Sequence, residues 1–292
     1  MSLKDSFIYR LASFSRRRRF FRLDYFLRKI YNPDKRKNDF IQQVILIDEN
    51  LLFNVDTSSY LEWYIFFYGI YEPFIVVLFK HFLQQGNVVI DIGANVGMHS
   101  LIMGKTVGER GRVYSFEPHP LIFERLKKNL SLNRMSWVKP LENGLSDKSG
   151  QLYLHGFDDN SANKGTSSLS TARKDCEVNK NSVFKVDVVT LDEWVEKEKL
   201  ERLDLIKIDT EGHDFNVLSG GFKTIESFRP VIIFEYCSDF FAPKEGNDKL
   251  NEIKVRLENM EYKLYQIKHD FLIDFDVSNL IGTLNFVAVP FF

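Results

Sequence analysis

Titratable side chains are concentrated in one short segment, KIDTEGHD at residues 207–214. The apolar residues around its start predict a strand at 203–208, which places Asp209 and Glu211 just beyond the carboxyl end of that strand. A carboxylate or an imidazole can accept a proton from a reacting hydroxyl, and the ordinary pKa of histidine lies near neutrality. We therefore treat Asp209, Glu211 and His213 as candidate catalytic residues. For His213 the alternative is an ordinary histidine on a helix surface.

A third carboxylate, Glu235, ends the next predicted strand at 230–235. Clustered carboxylate oxygens bind hard cations such as Mg²⁺, and a bound metal would orient a hydroxyl and lower its pKa. Asp209 and Glu235, with Glu211 beside them, are therefore a candidate magnesium site. A metal-free acidic pocket is the interpretation that we favour.

Two glycines directly follow a second apolar run. The segment DIGANVG occupies residues 91–97, after the strand-like residues 88–90. Glycine permits a sharp turn and a close approach of a ligand, and a helix that begins there presents unpaired N–H groups to an anion. Ligands of open parallel sheets bind at this end of the strands. Asp91, Gly93, Asn95 and Gly97 are thus candidate cofactor-binding residues.

An acidic residue ends the following predicted strand, at 112–116. Glu117 lies 26 residues after Asp91, at a place where a carboxylate accepts the hydroxyl groups of a ribose. The glycine turn and the acid at the strand end together favour an adenosine-containing cofactor.

The known nucleotide fingerprints do not match this turn. Asn95 and Met98 stand where the dinucleotide motif G-x-G-x-x-G requires glycine, and no P-loop occurs. A Tyr-x-x-x-Lys pair, Tyr31 and Lys35, precedes the glycine turn, whereas in short-chain dehydrogenases it follows it. Asp91 would repel a pyrophosphate but suits a ligand with an ammonium group. S-adenosylmethionine carries an ammonium, a carboxylate and a sulfonium without any phosphate, and we predict it as the cofactor.

Strands and helices alternate along the chain from residue 88. Strands are predicted at 88–92, 112–116, 136–141, 203–208, 230–235, 262–267 and 284–289, and helices near 97–106, 121–130, 191–199, 213–225 and 247–260. This alternation is typical of an α/β fold with helices on both faces of a mostly parallel sheet. We predict a Rossmann-like, seven-stranded sheet of this kind, preceded by a hairpin at 44–56 and a helix that begins at Pro73.

We predict two parts of the chain, an arm at residues 1–40 and one domain at 41–292. The alternation in the domain is interrupted by a polar insert at 156–180, between predicted strands at 149–155 and 183–190. Long polar loops in compact domains are usually functional or disordered. We expect this insert to close over the acceptor molecule.

Charge is distributed unevenly along the 292 residues. The net charge is −1, but residues 1–40 hold twelve Lys and Arg against four Asp, a local charge of +8. Apolar residues recur there at helical spacing, as in a basic amphipathic segment that binds an anionic membrane surface. The alternative is a helix packed on the body with solvated arginines. Nucleic acid is not favoured as a partner, because no recognition motif accompanies the charge.

The cysteines and the apolar stretches indicate a compartment. Cys176 and Cys237 form no disulfide or zinc pattern, which favours a reducing environment. No signal peptide is recognisable, and Glu72-Pro73 divides the most apolar stretch, 63–82, into halves shorter than the roughly 20 residues of a membrane span. We expect a cytoplasmic protein, peripheral to a membrane if the arm binds lipid.

Eight segments in a fixed order resemble one known family. They are FFYGIYEP (66–73), VVIDIGANVGMHS (88–100), VYSFEPHP (113–120), NGLSDKSG (143–150), GTSSL (165–169), VTLDEW (189–194), LDLIKIDTEGHDFNVLSGG (203–221) and RPVIIFE (229–235). Over about residues 44–236 the chain resembles the FkbM-type methyltransferases, within the class I S-adenosylmethionine-dependent fold. The resemblance implies methyl transfer from S-adenosylmethionine, usually to a hydroxyl oxygen on a sugar, polyketide or related molecule.

The resemblance also assigns expected roles to residues. Asp91, Gly93, Asn95 and Gly97 match the loop at the methionine side of the cofactor, and Glu117 matches the ribose-binding acid.

Further positions follow from the same resemblance. Asn143 and Gly144 follow the third strand, where class I enzymes hold the adenine edge; the alternative is a simple turn. Glu72 of YEP is expected to reach the cofactor pocket, unless it is only an acid in the first turn of a helix. Asp214 departs from the family, which more often has Glu there, and its role is open.

Two other functions are compatible with the same residues. One is a nucleotide-cofactor enzyme of another class, and the second is a scaffold that binds an adenosyl cofactor without transferring anything. The acceptor itself is not encoded in any motif, because acceptor pockets are built from loops.

Overall fold

The computed structural model describes residues 10–15, 24–31, 41–46, 50–155, 169, 183–242, 244–268 and 271–291. Most of the basic arm, nearly all of the polar insert and the hairpin residues 47–49 therefore lie outside the described residues. The arm contributes a helical turn at 10–15 and helix α1 (Asp24–Ile30). The predicted hairpin is present as antiparallel strands β1 (Ile41–Leu46) and β2 (Leu51–Asp56).

The most apolar stretch forms two helices instead of one. Helix α2 (Tyr60–Tyr68) ends at Gly69, and α3 (Pro73–Phe82) begins at a proline, which suits a first helical position. Among the described residues no single helix is long and apolar enough to cross a membrane. Together α2 and α3 would reach that length, but the chain bends by 74° between them.

In the described part of the chain, eight strands form the central sheet: β3 (Val88–Ile92), β4 (Arg112–Phe116), β5 (Val138–Leu141), β9 (Leu205–Ile208), β10 (Val231–Cys237), β11 (Tyr262–Lys268), β12 (Phe271–Ile273) and β13 (Thr283–Pro290). Their order across the sheet is β12-β11-β13-β10-β9-β3-β4-β5. Strands β5, β4, β3, β9 and β10 pair in parallel, and the remaining three pair antiparallel. The α/β fold class is confirmed; the eighth strand is a three-residue edge strand that hydrophobic periodicity did not reveal.

Helices cover both faces of this sheet. They are α4 (Met98–Val107), α5 (Pro120–Leu132), α6 (Leu191–Glu198), α7 (Asp214–Ser219), α8 (Phe222–Phe228) and α9 (Glu245–Asn259). Because successive strand residues point to opposite faces, each strand feeds two cores. Val89 and Leu205 pack with α2 to α5, whereas Ile90 and Ile206 pack with α6 to α9.

One predicted helix, 213–225, is two helices in the structure. The break falls at Gly220 and Gly221, where the chain passes close to two neighbours. A Cβ atom on Gly220 would lie 2.1 Å from the carbonyl oxygen of Ser146, and one on Gly221 would lie 2.6 Å from Leu191 Cδ2. Between β5 and β9, the described residues also form a separate three-stranded sheet. Its strands are β6 (Gly144–Leu145), β7 (Gly150–His155) and β8 (Val183–Val189).

The described part of the arm packs on the body. Leu27 and Tyr31 are fully buried; Tyr31 shares a hydrogen bond of 2.6 Å with the Thr57 hydroxyl, and its carbonyl accepts from Trp63 Nε1 at 2.8 Å. Two aromatic side chains of the same segments, Phe14 and Phe26, are more than half exposed. The described residues of the arm therefore show a feature of each interpretation: side chains packed on the body, and aromatic side chains exposed to solvent.

A buried ion pair joins the hairpin, α2 and α5. Glu62 is 2% exposed; its Oε1 accepts from Arg125 Nη1 at 2.7 Å, and its Oε2 accepts from Arg125 Nη2 and from the Asp56 N–H. Burial alone would raise the pKa of Glu62 strongly, and the Arg125 charge opposes that rise. The arginine thus compensates a carboxylate that has no access to water.

We expect Arg125→Met to lower the free energy of unfolding by about 3 kcal/mol, because it leaves the buried Glu62 carboxylate unpaired. Urea denaturation measures this. The matched control is Lys127→Met on the same helix, whose partner Glu124 is exposed, and we expect a change below about 0.5 kcal/mol there. Equal effects of the two substitutions would show that the buried pair has no special weight.

Candidate functional site

A pocket opens at the carboxyl ends of the parallel strands, and we call it the strand-end pocket. One part of the lining comes from the glycine turn and the neighbouring strands: Ile92–Met98, His99, Phe116, Glu117, Pro118, Gly144 and Leu145. The rest of the lining comprises Ser59, Tyr60, Leu61, Tyr71, Glu72, Leu154, Leu169, Lys207, Asp209, Thr210, Glu211 and Glu235. Leu169 belongs to the polar insert. The pocket therefore lies where the sequence predicted a ligand site.

The glycine turn packs so closely on the neighbouring strand that Gly93 has no space for a side chain. Its φ is +77°, and a Cβ atom would lie 1.8 Å from the carbonyl oxygen of Asp209. The N–H groups of Gly93 and Ala94 both donate to the Phe116 carbonyl, at 3.0 and 2.9 Å. The turn is thus held against β4 and β9 by backbone contacts.

Glu117 is buried at the end of β4, with both carboxyl oxygens engaged by backbone donors. The Asn95 N–H donates to Oε2 and the His119 N–H donates to Oε1, each at 2.9 Å. Burial raises the pKa of Glu117 to about 7, against the lowering effect of these two hydrogen bonds. The residue is therefore rigidly held at the pocket surface, and each oxygen keeps a lone pair for a further donor.

A buried ammonium group lies between two carboxylates. Lys207 is opposite Asp91 in the β3–β9 pairing; its Nζ lies 3.7 Å from Asp91 Oδ1 and donates to Asp209 Oδ2 at 3.0 Å. Burial would lower the pKa of Lys207, but the charges of Asp209, Asp91 and Glu72 outweigh it and raise the pKa. Lys207 is therefore charged. The Asp91 Oδ2 also accepts from Ser100 Oγ at 2.5 Å.

The structure places Asp91 next to Lys207. The residue is fully buried and is absent from the pocket lining, and its carboxylate balances the Lys207 ammonium; its role at the cofactor stays a prediction. Negative charge at the pocket comes from Glu72, Glu117, Asp209, Glu211 and Glu235.

A second group of carboxylates lines the opposite side. Glu72 Oε1 accepts from Asn285 Nδ2 at 3.3 Å, and Asn285 is the cross-strand partner of Glu235. Burial, followed by the charge of Asp209, raises the pKa of Glu72 to about 7. Burial and the same aspartate, with Glu211, raise the pKa of Glu235 well above its ordinary value. Both carboxyl groups therefore release their protons at a higher pH than exposed ones do.

Asp214 and His213, the last two residues of the KIDTEGHD segment, are held by hydrogen bonds to neighbouring segments. Asp214 accepts from the Thr210 hydroxyl at 2.9 Å and from the Glu235 N–H at 3.3 Å, and burial raises its pKa to about 7. The shorter carboxylate thus joins two strand ends. His213 shares a 2.9 Å hydrogen bond with the Ser146 hydroxyl, and burial lowers its pKa to about 4. It does not line the pocket, so its predicted catalytic role gains no support.

The predicted site residues fall into two groups, those that line the pocket and those that do not. Glu72, Gly93, Asn95, Gly97, Glu117, Gly144, Asp209, Glu211 and Glu235 line the pocket, whereas Asp91, Asn143 and His213 do not. Across the described part of the chain, no three or more His, Cys, Asp or Glu side chains are arranged to hold a metal ion. The magnesium hypothesis for Asp209 and Glu235 therefore gains no support either.

Tyr71, His99 and Asn285 are among the site residues that sequence reasoning missed. Tyr71 and His99 line the pocket, and Asn285 contacts Glu72 from β13. For His99, its position two residues after DIGANVG, in the first turn of α4, was an available signal. Asn285 could not be found, because its neighbour Glu72 is 213 residues away in the chain.

The chain is similar to several known proteins. A family model described as the methyltransferase FkbM domain matches residues 91–264. The chain is 29% identical to the hexuronic acid methyltransferase AglP of Haloferax volcanii over 188 residues, 64% of this chain and 71% of that protein. It is 27% identical to the 2-O-methyltransferase NoeI of Sinorhizobium fredii over 157 residues, 51% of this chain and 63% of that protein.

A solved FkbM methyltransferase structure from Methylobacillus flagellatus aligns with a TM-score of 0.44 and 15% identity. That alignment covers 70% of this chain and 43% of the other.

We expect Gly93→Ala to lower the melting temperature by several degrees more than Gly86→Ala. Both glycines have positive φ, +77° and +90°, so both substitutions strain the backbone. Only at Gly93 does the new Cβ meet another atom, whereas nothing lies within 4 Å at Gly86. Differential scanning calorimetry compares the two variants, and equal losses would refute the close contact between the turn and Asp209.

Proposed function

Because the chain belongs to the FkbM methyltransferase family, we propose that it transfers a methyl group from S-adenosylmethionine to a hydroxyl oxygen of a sugar or related small molecule. The observation that carries the proposal is the strand-end pocket, in which the close-packed glycine turn and buried Glu117 adjoin a group of carboxylates. The match to the family model, 60% of the chain by its residue range 91–264, includes all of these elements except Glu72.

The lining fits S-adenosylmethionine in two respects. Glu117 offers oxygens to hydroxyl donors such as those of a ribose, and the turn brings backbone within reach of a ligand with no side chain between them. The carboxylates around the pocket complement a cation, and Lys207, the cation in the described lining, is already paired with Asp91 and Asp209. A phosphate-bearing cofactor would meet repulsion there.

Methyl transfer asks little of the protein beyond alignment and proton removal. S-adenosylmethionine supplies an electrophilic methyl group on a sulfonium. The pocket holds the acceptor oxygen near that carbon, and a carboxylate on the side formed by Glu72, Asp209 and Glu235 receives the hydroxyl proton. The apolar side chains of Leu154 and Leu169 also line the pocket.

We infer that the preferred acceptor is a neutral sugar or similar molecule with a free hydroxyl group, and that an acceptor which also carries a carboxylate is disfavoured. AglP is named for a hexuronic acid and NoeI for 2-O-methylation, so the relatives leave both classes open. In this chain the described lining is rich in carboxylates, and a uronate would add a further negative charge at low dielectric. Leu169 supports a part for the insert 156–180 in covering the acceptor.

The test is transfer of labelled methyl from S-adenosylmethionine to matched acceptors. We expect a panel of hexosides to be methylated at least about tenfold faster, by kcat/KM, than the corresponding hexuronides, because one unfavourable charge contact costs on the order of 1.4 kcal/mol. Faster hexuronide methylation would refute the preference for a neutral acceptor. Retained binding of S-adenosylhomocysteine with no transfer to any acceptor would favour the scaffold alternative.

The donor side has its own control in the same experiment. Glu117→Ala should weaken S-adenosylhomocysteine binding by about 10–100-fold in calorimetry, because hydrogen bonds to a charged group are worth about 1.5–3 kcal/mol. Glu142→Ala, exposed at the end of the neighbouring strand β5 and outside the pocket, should leave the affinity unchanged.

We also propose that the arm at 1–40 brings the enzyme to an anionic membrane surface. The arm carries +8, and Phe14 and Phe26 are 53% and 54% exposed on its described helical segments. Basic side chains beside exposed aromatic ones are suited to anionic headgroups.

We expect the protein to sediment with phosphatidylserine vesicles at low salt and to be released at high salt. The paired variant Phe14→Ser and Phe26→Ser should reduce the bound fraction without changing methyl transfer to a soluble acceptor. Equal partition of both proteins into the supernatant would refute the proposal.

A further inference from the structure

Glu72 adopts a backbone conformation that side chains rarely take. Its φ and ψ are 47° and 62°, in the left-handed region, and it directly precedes Pro73, whose ring disfavours helical conformations of the residue before it. Such a conformation is strained and persists where the surroundings impose it, typically at functional sites. As the N-cap of α3, Glu72 makes no capping hydrogen bond with its side chain. The carboxyl group is directed to the strand-end pocket instead.

Two side chains orient the Glu72 carboxyl group. Asn285 donates to Oε1 at 3.3 Å, and His99 Nε2 lies 3.9 Å from Oε2. His99 is 7% exposed, packs edge-on against Phe79 and has no hydrogen-bond partner for Nε2. The distance to Oε2 exceeds a hydrogen bond, so this oxygen stays available to a donor that enters the pocket.

The charges around Glu72 keep it close to the midpoint of its titration at neutral pH. The titratable groups facing it are Tyr71, His99, Lys207, Asp209 and Glu235. Burial and Asp209 raise the pKa of Glu72 to about 7, whereas Lys207 and the Asn285 amide limit the rise. Burial and the Lys207 charge lower the pKa of His99 well below its ordinary value, so its ring is neutral.

We propose that Glu72 is the catalytic base that takes the proton from the acceptor hydroxyl, with Asn285 and His99 as positioning residues. This inference rests on the proposed function. As the O–CH₃ bond forms and the S–CH₃ bond breaks, the hydroxyl proton moves to Glu72 Oε2. The sulfur retains the electron pair of the broken bond and leaves as neutral S-adenosylhomocysteine. The protonated carboxyl group then releases its proton to solvent when the products depart.

The other carboxylates of the pocket are less suited to this role. Asp209 Oδ2 already accepts a 3.0 Å hydrogen bond from the Lys207 ammonium, and a proton on Asp209 would weaken that ion pair. Burial and the charges of Asp209 and Glu211 raise the pKa of Glu235 well above its ordinary value, which disfavours the ionised form that a base needs. Its cross-strand neighbour Asn285 instead faces Glu72.

The first experiment compares Glu72→Gln, Glu72→Asp and the control Glu226→Gln, an exposed glutamate on α8. We expect Glu72→Gln to lower kcat by about 100-fold or more, because general base catalysis contributes roughly 10²–10⁴. Glu72→Asp should recover part of that loss. S-adenosylhomocysteine affinity, measured by calorimetry, should change by less than about threefold in each variant, because the base does not hold the donor.

The second experiment follows pH. The pKa of about 7 belongs to the ligand-free protein, so kcat/KM for S-adenosylmethionine, which reports the free enzyme, should rise as pH increases through 7, where Glu72 loses its proton. Asn285→Leu removes an N–H that favours the ionised form, so the rising limb should move to higher pH by about half a unit or more. Infrared difference spectra of the ligand-free protein, wild type minus Glu72→Gln, should show a carboxyl band that titrates near pH 7, a readout independent of turnover.

The outcomes separate the two levels of the argument. If the wild type transfers methyl groups and Glu72→Gln retains its kcat and pH profile, Glu72 is not the base, and the proposed function stands. If Glu72→Gln loses only donor affinity, Glu72 is a cofactor contact and the inference is wrong. If the wild type neither binds S-adenosylhomocysteine nor transfers a methyl group, the proposed function fails first, and the infrared titration alone decides the state of Glu72.

Discussion

The ammonium group of Lys207 is the charge on which the site depends. It is 4% exposed in the middle of the sheet, and its charge is stable there only because Asp91 and Asp209 lie on either side of it. The pairing of β3 with β9 puts Lys207 opposite Asp91, so correct strand register and a neutralised charge are the same condition. A slip of one residue would move Lys207 to the other core.

The same ammonium allows several acidic side chains to share one pocket. Without it, Glu72, Asp209 and Glu235 would repel one another in a region with little water. With it, Asp209 is paired, whereas burial raises the pKa of Glu235 well above its ordinary value and that of Glu72 to about 7. Groups of one chemical type thus acquire different protonation states from their surroundings alone. This division of states is what general base chemistry requires at neutral pH.

The layered core explains how such a costly arrangement persists. Strand residues of one parity, among them Val89, Leu205 and Ile233, form the apolar core beneath α3 and α4. The polar residues Asp91, Lys207 and Glu235 continue the same parity toward the carboxyl ends of the strands. Burial that stabilises the sheet therefore also raises the pKa values of the carboxyl groups at the strand ends. The strained backbone of Glu72 is held in position by the helices that pack on this face.

Much of this organisation was already determined by the sequence. Alternating apolar periodicity predicted the α/β fold, and glycines and acids at strand ends predicted Gly93, Gly97, Glu117 and Asp209 as pocket residues, because these are local patterns with a fixed relation to the strand end. The residues around Glu72 could not be predicted in the same way. Asn285 and His99 meet it only when the antiparallel β13 and the helix α4 fold against the same face.

Tertiary structure also decided which acids line the pocket. Asp91 and His213 have the residue types that chemistry requires, but Lys207 and Ser146 engage them away from the pocket. Sequence specifies which groups are available. Burial and long-range neighbours determine their charge and direction, because both depend on distances of a few ångströms between segments far apart in the chain.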